Sequence, residues 1–177
     1  MIMADESTAL LIVDTQMAFF QAPKPLYQAE RLIENIRSLT SKARQAHVPV
    51  IYVQHNASGD LEWMNSTPLK DIHPQIAPES TDLVVQKWQP DIFAEPTLQR
   101  ELEARGIRRL IITGCQTEHC INNSCRSGAA LGYDITLVSD AHATFDSDVL
   151  TAQQIVEQYS KELSVLVAVK PAHEVSF

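Results

Sequence analysis

Six short apolar runs alternate with longer amphipathic stretches along this chain of 177 residues. That alternation constrains the fold more than any other feature. The runs fall at 9–13, 48–53, 82–86, 107–113, 134–138 and 163–169. They are rich in Val, Ile and Leu, the composition of strands buried on both faces. Between the first two, 26–46 places Leu32, Ile33, Ile36, Leu39 and Ala43 on one helical face. Shorter helices are predicted at 96–105, ended by Gly106, at 118–131, closed by Gly132, and at 148–160. Strands alternating with helices of this length build a parallel sheet covered on both sides. The expectation is a single α/β domain over 1–177, a three-layer α-β-α arrangement around a doubly wound, six-stranded, mostly parallel sheet. The polar stretch 54–80 is long for a connection in such a fold, so it is expected to be functional or partly helical.

Composition removes several function classes. The net charge of -8 opposes a nucleic-acid partner, which calls for a basic surface. No apolar run approaches the roughly 20 residues of a membrane span. The residues ahead of the first strand include Asp5 and Glu6 and no basic group, unlike a signal peptide. Three cysteines are an odd number in a chain of this size, so a reducing cytoplasm is expected rather than a disulfide framework. Cys115 and Cys125 are read as buried structural thiols.

Ligands of doubly wound sheets bind outside the carboxyl ends of the strands. Asp14 follows the first predicted strand, Lys87 the third, and a loop from Gly114 to Cys120 the fourth. A carboxylate, an ammonium and a thiol therefore meet at one edge of the sheet. Each has an ordinary reading alone: a turn-capping Asp, a solvated Lys, a buried Cys. Together they form a nucleophile, a general base and a charge that steadies both. Cys120 is placed near a helix start, where unpaired N–H groups and Lys87 are expected to favour its thiolate.

His119 neighbours Cys120, but adjacent helical side chains diverge by about 100°, which makes a dyad poor. His55 and His142 follow strands and are expected to line the pocket, His142 being the better placed. Phe19, Trp63 and Trp88 fall in loops at the same edge and are expected to form an apolar wall. Zinc would want three or four converging ligands, and the chain shows no such spacing. Gly114 stands alone, without the pattern of a nucleotide loop. Neither a metal nor a cofactor is therefore expected, and the partner is a small-molecule substrate.

The segments LLIVDTQMAFF (10–20), VVQKWQPDIF (84–93) and LIITGCQTEHCINNSCRSGAALGYDITLVSDAHATFD (110–146) resemble the isochorismatase-like superfamily of cysteine hydrolases. That group includes nicotinamidases and N-carbamoylsarcosine amidases. The resemblance implies Asp14, Lys87 and Cys120 as a catalytic triad and a cis peptide between Cys115 and Gln116. It also implies an oxyanion hole from the backbone N–H groups of Gln116 and Cys120, and self-association as a dimer or larger ring. Nicotinamidases carry an Asp-x-His metal element after the second strand, where this chain has QHNASGD at 54–60. The resemblance is thus to the metal-free branch. Isochorismate-cleaving members generally lack the nucleophilic cysteine that Cys120 supplies. The expected reaction is hydrolysis of a carboxamide or related C–N bond through a cysteine thioester. The alternatives are an ether or ester hydrolase, or a non-catalytic binding or assembly protein.

Overall fold

A computed structural model describes residues 7–177. The acidic segment ahead of the first strand lies largely outside these described residues. Six strands, β1 (Thr8–Val13), β2 (Val50–His55), β3 (Leu83–Lys87), β4 (Arg109–Cys115), β5 (Asp134–Ala143) and β6 (Ala168–Lys170), form one sheet. Their order is β3-β2-β1-β4-β5-β6 and every pairing is parallel. The chain winds outward from β1 in one direction and from β4 in the other, so the switch point lies between these two strands. That is the expected α/β architecture, with the ligand-binding crevice of such sheets falling at the carboxyl ends of β1 and β4.

The period-two alternation of β1 divides the core into two layers. Ala9, Leu11 and Val13 face one side with Leu110 and Ile112 of β4. Covering that side are α3 (Pro96–Ala104), through Leu98 and Leu102, α4 (Asn122–Ala130), through Cys125, and α5 (Ala152–Leu163), through Leu163. Leu10 and Ile12 face the other side, where α2 (Ala29–Gln45) lays down Leu32, Ile33, Ile36, Leu39 and Ala43. These five are the residues whose spacing predicted the helix. Thr151 caps α5 in a reciprocal box with Gln154, which moves its start past residue 148. Among the described residues, no helix is long and apolar enough to cross a membrane.

Two departures from the predicted elements bear on the site. β5 runs on to Ala143 because its register jumps: Ile112 pairs with Leu137, whereas Gly114 pairs with His142. The extra residues bulge between Leu137 and His142, a stretch in which the polarity of Ser139 and Asp140 reads in the sequence as a strand end. The predicted helix 118–131 opens instead as a wide turn, Thr117–Ile121, before regular α4 begins at Asn122. The long connection after β2 is partly helical, with 3-10 segments at Gly59–Asn65 and Pro74–Ile76. It is tied over the end of β1: Met17 N–H donates to Asp71 O at 2.8 Å, and His73 N–H to Thr15 O at 2.9 Å. The one-turn helix α1 (Met17–Phe20) is held in the same lattice, with Ala18 N–H on Leu69 O at 2.9 Å.

Candidate active site

Three strand ends bring the predicted polar residues together. Asp14 leaves β1 with a φ of 51°, a left-handed conformation that a branched or bulky residue would resist but Asp tolerates. Its N–H donates to Val53 O at 2.9 Å, so the carboxylate is set by β2 as well as by β1. Lys87 ends β3, opposite His55 of β2. Its side chain crosses that strand to reach Asp14, with Nζ 2.9 Å from Oδ2. Both side chains are 1% exposed. The same ammonium donates to Cys120 Sγ at 3.3 Å and to Gln89 O at 3.0 Å, and lies 3.2 Å from His55 Nδ1. An ammonium has no lone pair, so His55 Nδ1 is an acceptor and its Nε2 carries the proton.

Cys120 enters on the wide turn after β4. Gly114, next to last in that strand, has a φ of 122°, and a Cβ there would fall 1.9 Å from Val13 O. Only glycine lets the two strand ends approach so closely. The Cys115–Gln116 peptide is cis, as the resemblance implied. Beyond it, Gln116 O accepts from His119 N–H at 3.2 Å and Ile121 N–H at 3.1 Å, the groups on either side of Cys120.

The protonation state differs from the sequence expectation. Burial, with the Asp14 charge next, pushes the Cys120 thiol up to about 12, and Lys87 only partly offsets this. The resting group is therefore a thiol, not a thiolate. Burial also raises the Asp14 carboxyl against the pull of Lys87, which makes it the stronger base. Desolvation and the Lys87 charge both lower the His55 pKa, keeping the ring neutral.

A cavity of about 340 Å³ opens above Cys120, with Asp14 and Gln116 in its wall. Phe19, His55 and Trp63 line it, as the sequence suggested. Two other candidates do not. Trp88 is 55% exposed and outside the lining, because β3 ends at Lys87 and the next residue turns away from the cavity. His142 is buried within β5, the bulge having carried it into the sheet beside Gly114. Its Nδ1 lies 2.8 Å from Thr117 Oγ1 and its Nε2 3.0 Å from Ser160 Oγ. It thus ties the nucleophile's turn to α5 from behind, and burial holds its pKa down at about 4.

The lining also includes Leu61 and Met64 from the first 3-10 segment, Phe145 after β5, and His119. Sequence reasoning missed these, since irregular segments give no periodicity from which to orient a side chain. Phe145 stacks on Phe19 at a centroid distance of 6.5 Å, a pairing across 126 positions that no local pattern signals. The place of the nicotinamidase metal element does not fit a metal. Gln54 and Gln86 bond each other at 2.6 Å, Asn56 donates to Gln86 at 2.9 Å, and His55 Nδ1 faces the Lys87 ammonium. Among the described residues, no three His, Cys, Asp or Glu side chains converge as a metal-binding group.

The sequence of residues 8–164 matches the family model of the isochorismatase domain. The chain belongs to the isochorismatase family, in its cysteine-hydrolase branch. A solved structure from Oleispira antarctica, classed with the isochorismatase hydrolases, superposes with a TM-score of 0.89 at 30% identity, covering 96% of each chain. A streptothricin hydrolase from Streptomyces noursei is 33% identical over 138 residues, 78% of this chain. The chain spans half the length of that relative, the matched part being 50% of it. A ureidoacrylate amidohydrolase from Acinetobacter baylyi is 27% identical, covering 78% of this chain and 71% of the relative.

Proposed function

We propose that this protein hydrolyses a carboxamide, or a related C–N bond, of a small molecule through a thioester on Cys120. The observation that carries this reading is the Lys87 ammonium lying between a buried carboxylate, 2.9 Å away, and a thiol, 3.3 Å away, on the floor of a cavity. The name of one relative, a streptothricin hydrolase, supports a hydrolase, and that of another, a ureidoacrylate amidohydrolase, supports this bond class. Its setting is a reducing cytoplasm, in keeping with three free, buried cysteines. Its working form is a homo-oligomer of two or more copies.

The raised thiol gives Asp14 its task. Asp14 takes the Sγ proton as sulfur attacks the carbonyl carbon, and Lys87 holds the charge steady on both sides of the transfer. The N–H groups of Gln116 and Cys120 receive the developing oxyanion, one such donor being worth about 2.7–4 kcal/mol. Protonated Asp14 then hands its proton to the leaving nitrogen, the C–N bond breaks, and ammonia or an amine departs from a thioester. Water next loses a proton to Asp14 and adds to the thioester. The C–S bond breaks, the sulfur recovers its proton, and the acid leaves.

Mass spectrometry of the protein quenched during turnover of an amide tests this. The expected result is one acyl group on a peptide containing Cys120, absent in Cys120→Ala. Turnover of esters alone, or amide turnover retained by Cys120→Ala, would overturn the reading.

A further inference from the structure

The cavity above Cys120 has a lopsided chemistry. Phe19, Leu61, Trp63, Met64, Pro23 and Phe145 supply apolar walls. Among the described residues no Lys or Arg lines it, and the only carboxylate in its lining is Asp14, already paired with Lys87. The remaining polar side chains are Gln116, His119 and His55. Because His55 Nδ1 faces the Lys87 ammonium, the ring's proton sits on Nε2 and offers a neutral donor.

We propose that the substrate is a small, uncharged carboxamide with an apolar acyl group, held between the Phe19–Phe145 stack and the Leu61–Trp63–Met64 segment. The proposal rests on the amide-hydrolase reading and extends it to a substrate class. A carboxylate on the acyl group would enter without a cation to pair with and would face Asp14. A cationic group would find only a carboxylate whose charge Lys87 already answers. Either charge would lose part of its hydration against these apolar walls, a penalty that methyl or aryl groups do not incur. The volume of about 340 Å³ lies at the small end of ligand cavities, enough for one ring or a short branched chain.

Three amides of similar shape test it with the full chain at neutral pH: para-toluamide, the monoamide of terephthalic acid, and para-aminomethylbenzamide. We expect kcat/KM for para-toluamide to exceed both charged amides by about thirtyfold. Calorimetric binding of the same three to Cys120→Ala should follow the same order. That measurement reads the cavity without turnover, so it decides the proposal even where no amide is hydrolysed, an outcome that would count against the amide reading instead. Equal or tighter binding of a charged amide, or no binding of para-toluamide, overturns the proposal. Leu61→Arg supplies a cation at a half-exposed position that the fold tolerates. It should tighten binding of the terephthalic monoamide by roughly tenfold and weaken that of para-toluamide. An unchanged affinity for the terephthalic monoamide in this variant would also count against the assignment.

Discussion

Gly114 and Val13 lie back to back at the switch point of the sheet, so close that one added carbon on Gly114 would meet the Val13 carbonyl oxygen at 1.9 Å and the carbonyl carbon at 2.8 Å. These atoms are backbone and cannot rotate aside. The residue after Val13 is Asp14, and the residue after Gly114 begins the cis peptide that leads to Cys120. One close approach thus sets the spacing of the base and the nucleophile. Gly114→Ala should destabilise the fold by about 3 kcal/mol or more, since it combines overpacking with an unfavourable φ. Urea denaturation monitored by circular dichroism checks this. A loss below about 0.5 kcal/mol would mean that the strands can separate freely.

Asp14→Asn should separate reactivity from activity. The Asp14 charge helps hold the Cys120 thiol up near 12, and the amide would remove that charge while leaving Lys87 in place. The thiol should therefore become more acidic. Iodoacetamide should label Cys120 faster in Asp14→Asn than in the native protein at mildly alkaline pH, although amide turnover falls by about a hundredfold or more. Slower labelling in the variant would show that Asp14 activates the resting thiol and does not suppress it.

Lys87→Met strands a buried carboxylate. Removing one partner of such a pair costs about 3–5 kcal/mol, reduced here by any proton that Asp14 takes up. The double variant Asp14→Asn, Lys87→Met should recover much of that stability without recovering turnover, because the unpaired charge is gone but the base is absent. Denaturation midpoints of the native, single and double proteins measure the coupling. Additive losses would mean that the two groups do not act as a pair.

His142 makes stability fall in acid. Its pKa is about 4 in the fold and near 6.5 when unfolded, so between those values the unfolded chain binds the extra proton. Its contribution is complete above about 6.5 and is lost as pH drops toward 4. The loss amounts to roughly 3 kcal/mol over that window. His142→Gln should flatten this part of the pH–stability curve. An equally steep curve in the variant would place the acid sensitivity elsewhere.

The polar set of the site could be read from the sequence because parallel strands leave little choice about where their carboxyl ends lie. Asp14, Lys87 and Cys120 each follow a predicted strand, and the structure brings Asp14 and Cys120 within 3.3 Å of the Lys87 ammonium. His142 could not be placed in this way. Ser139 and Asp140 look like a strand end, whereas the chain bulges and continues, which turns a supposed pocket residue into a buried brace. The thiol's state was equally hidden. A predicted helix start and Lys87 suggested stabilisation of the anion, but burial is a property of the whole fold and outweighs them. Leu61, Met64 and Phe145 came from stretches without periodicity, so their convergence depended on tertiary contacts.

The segment Gly59–Asn65 has no buried residue, and neither hydrophobic layer includes it. Its ends are fastened by polar bonds: Ala57 N–H donates to Asn65 Oδ1 at 2.9 Å, and the Asn65 amide returns a bond to Ala57 O at 2.7 Å. Leu61, Trp63 and Met64 therefore sit in a removable cassette clipped onto a rigid chassis. Libraries that randomise 60–64 while retaining Asn65 should retune the selectivity of this scaffold at little expense in folding, a freedom that the tightly meshed strand ends below do not share.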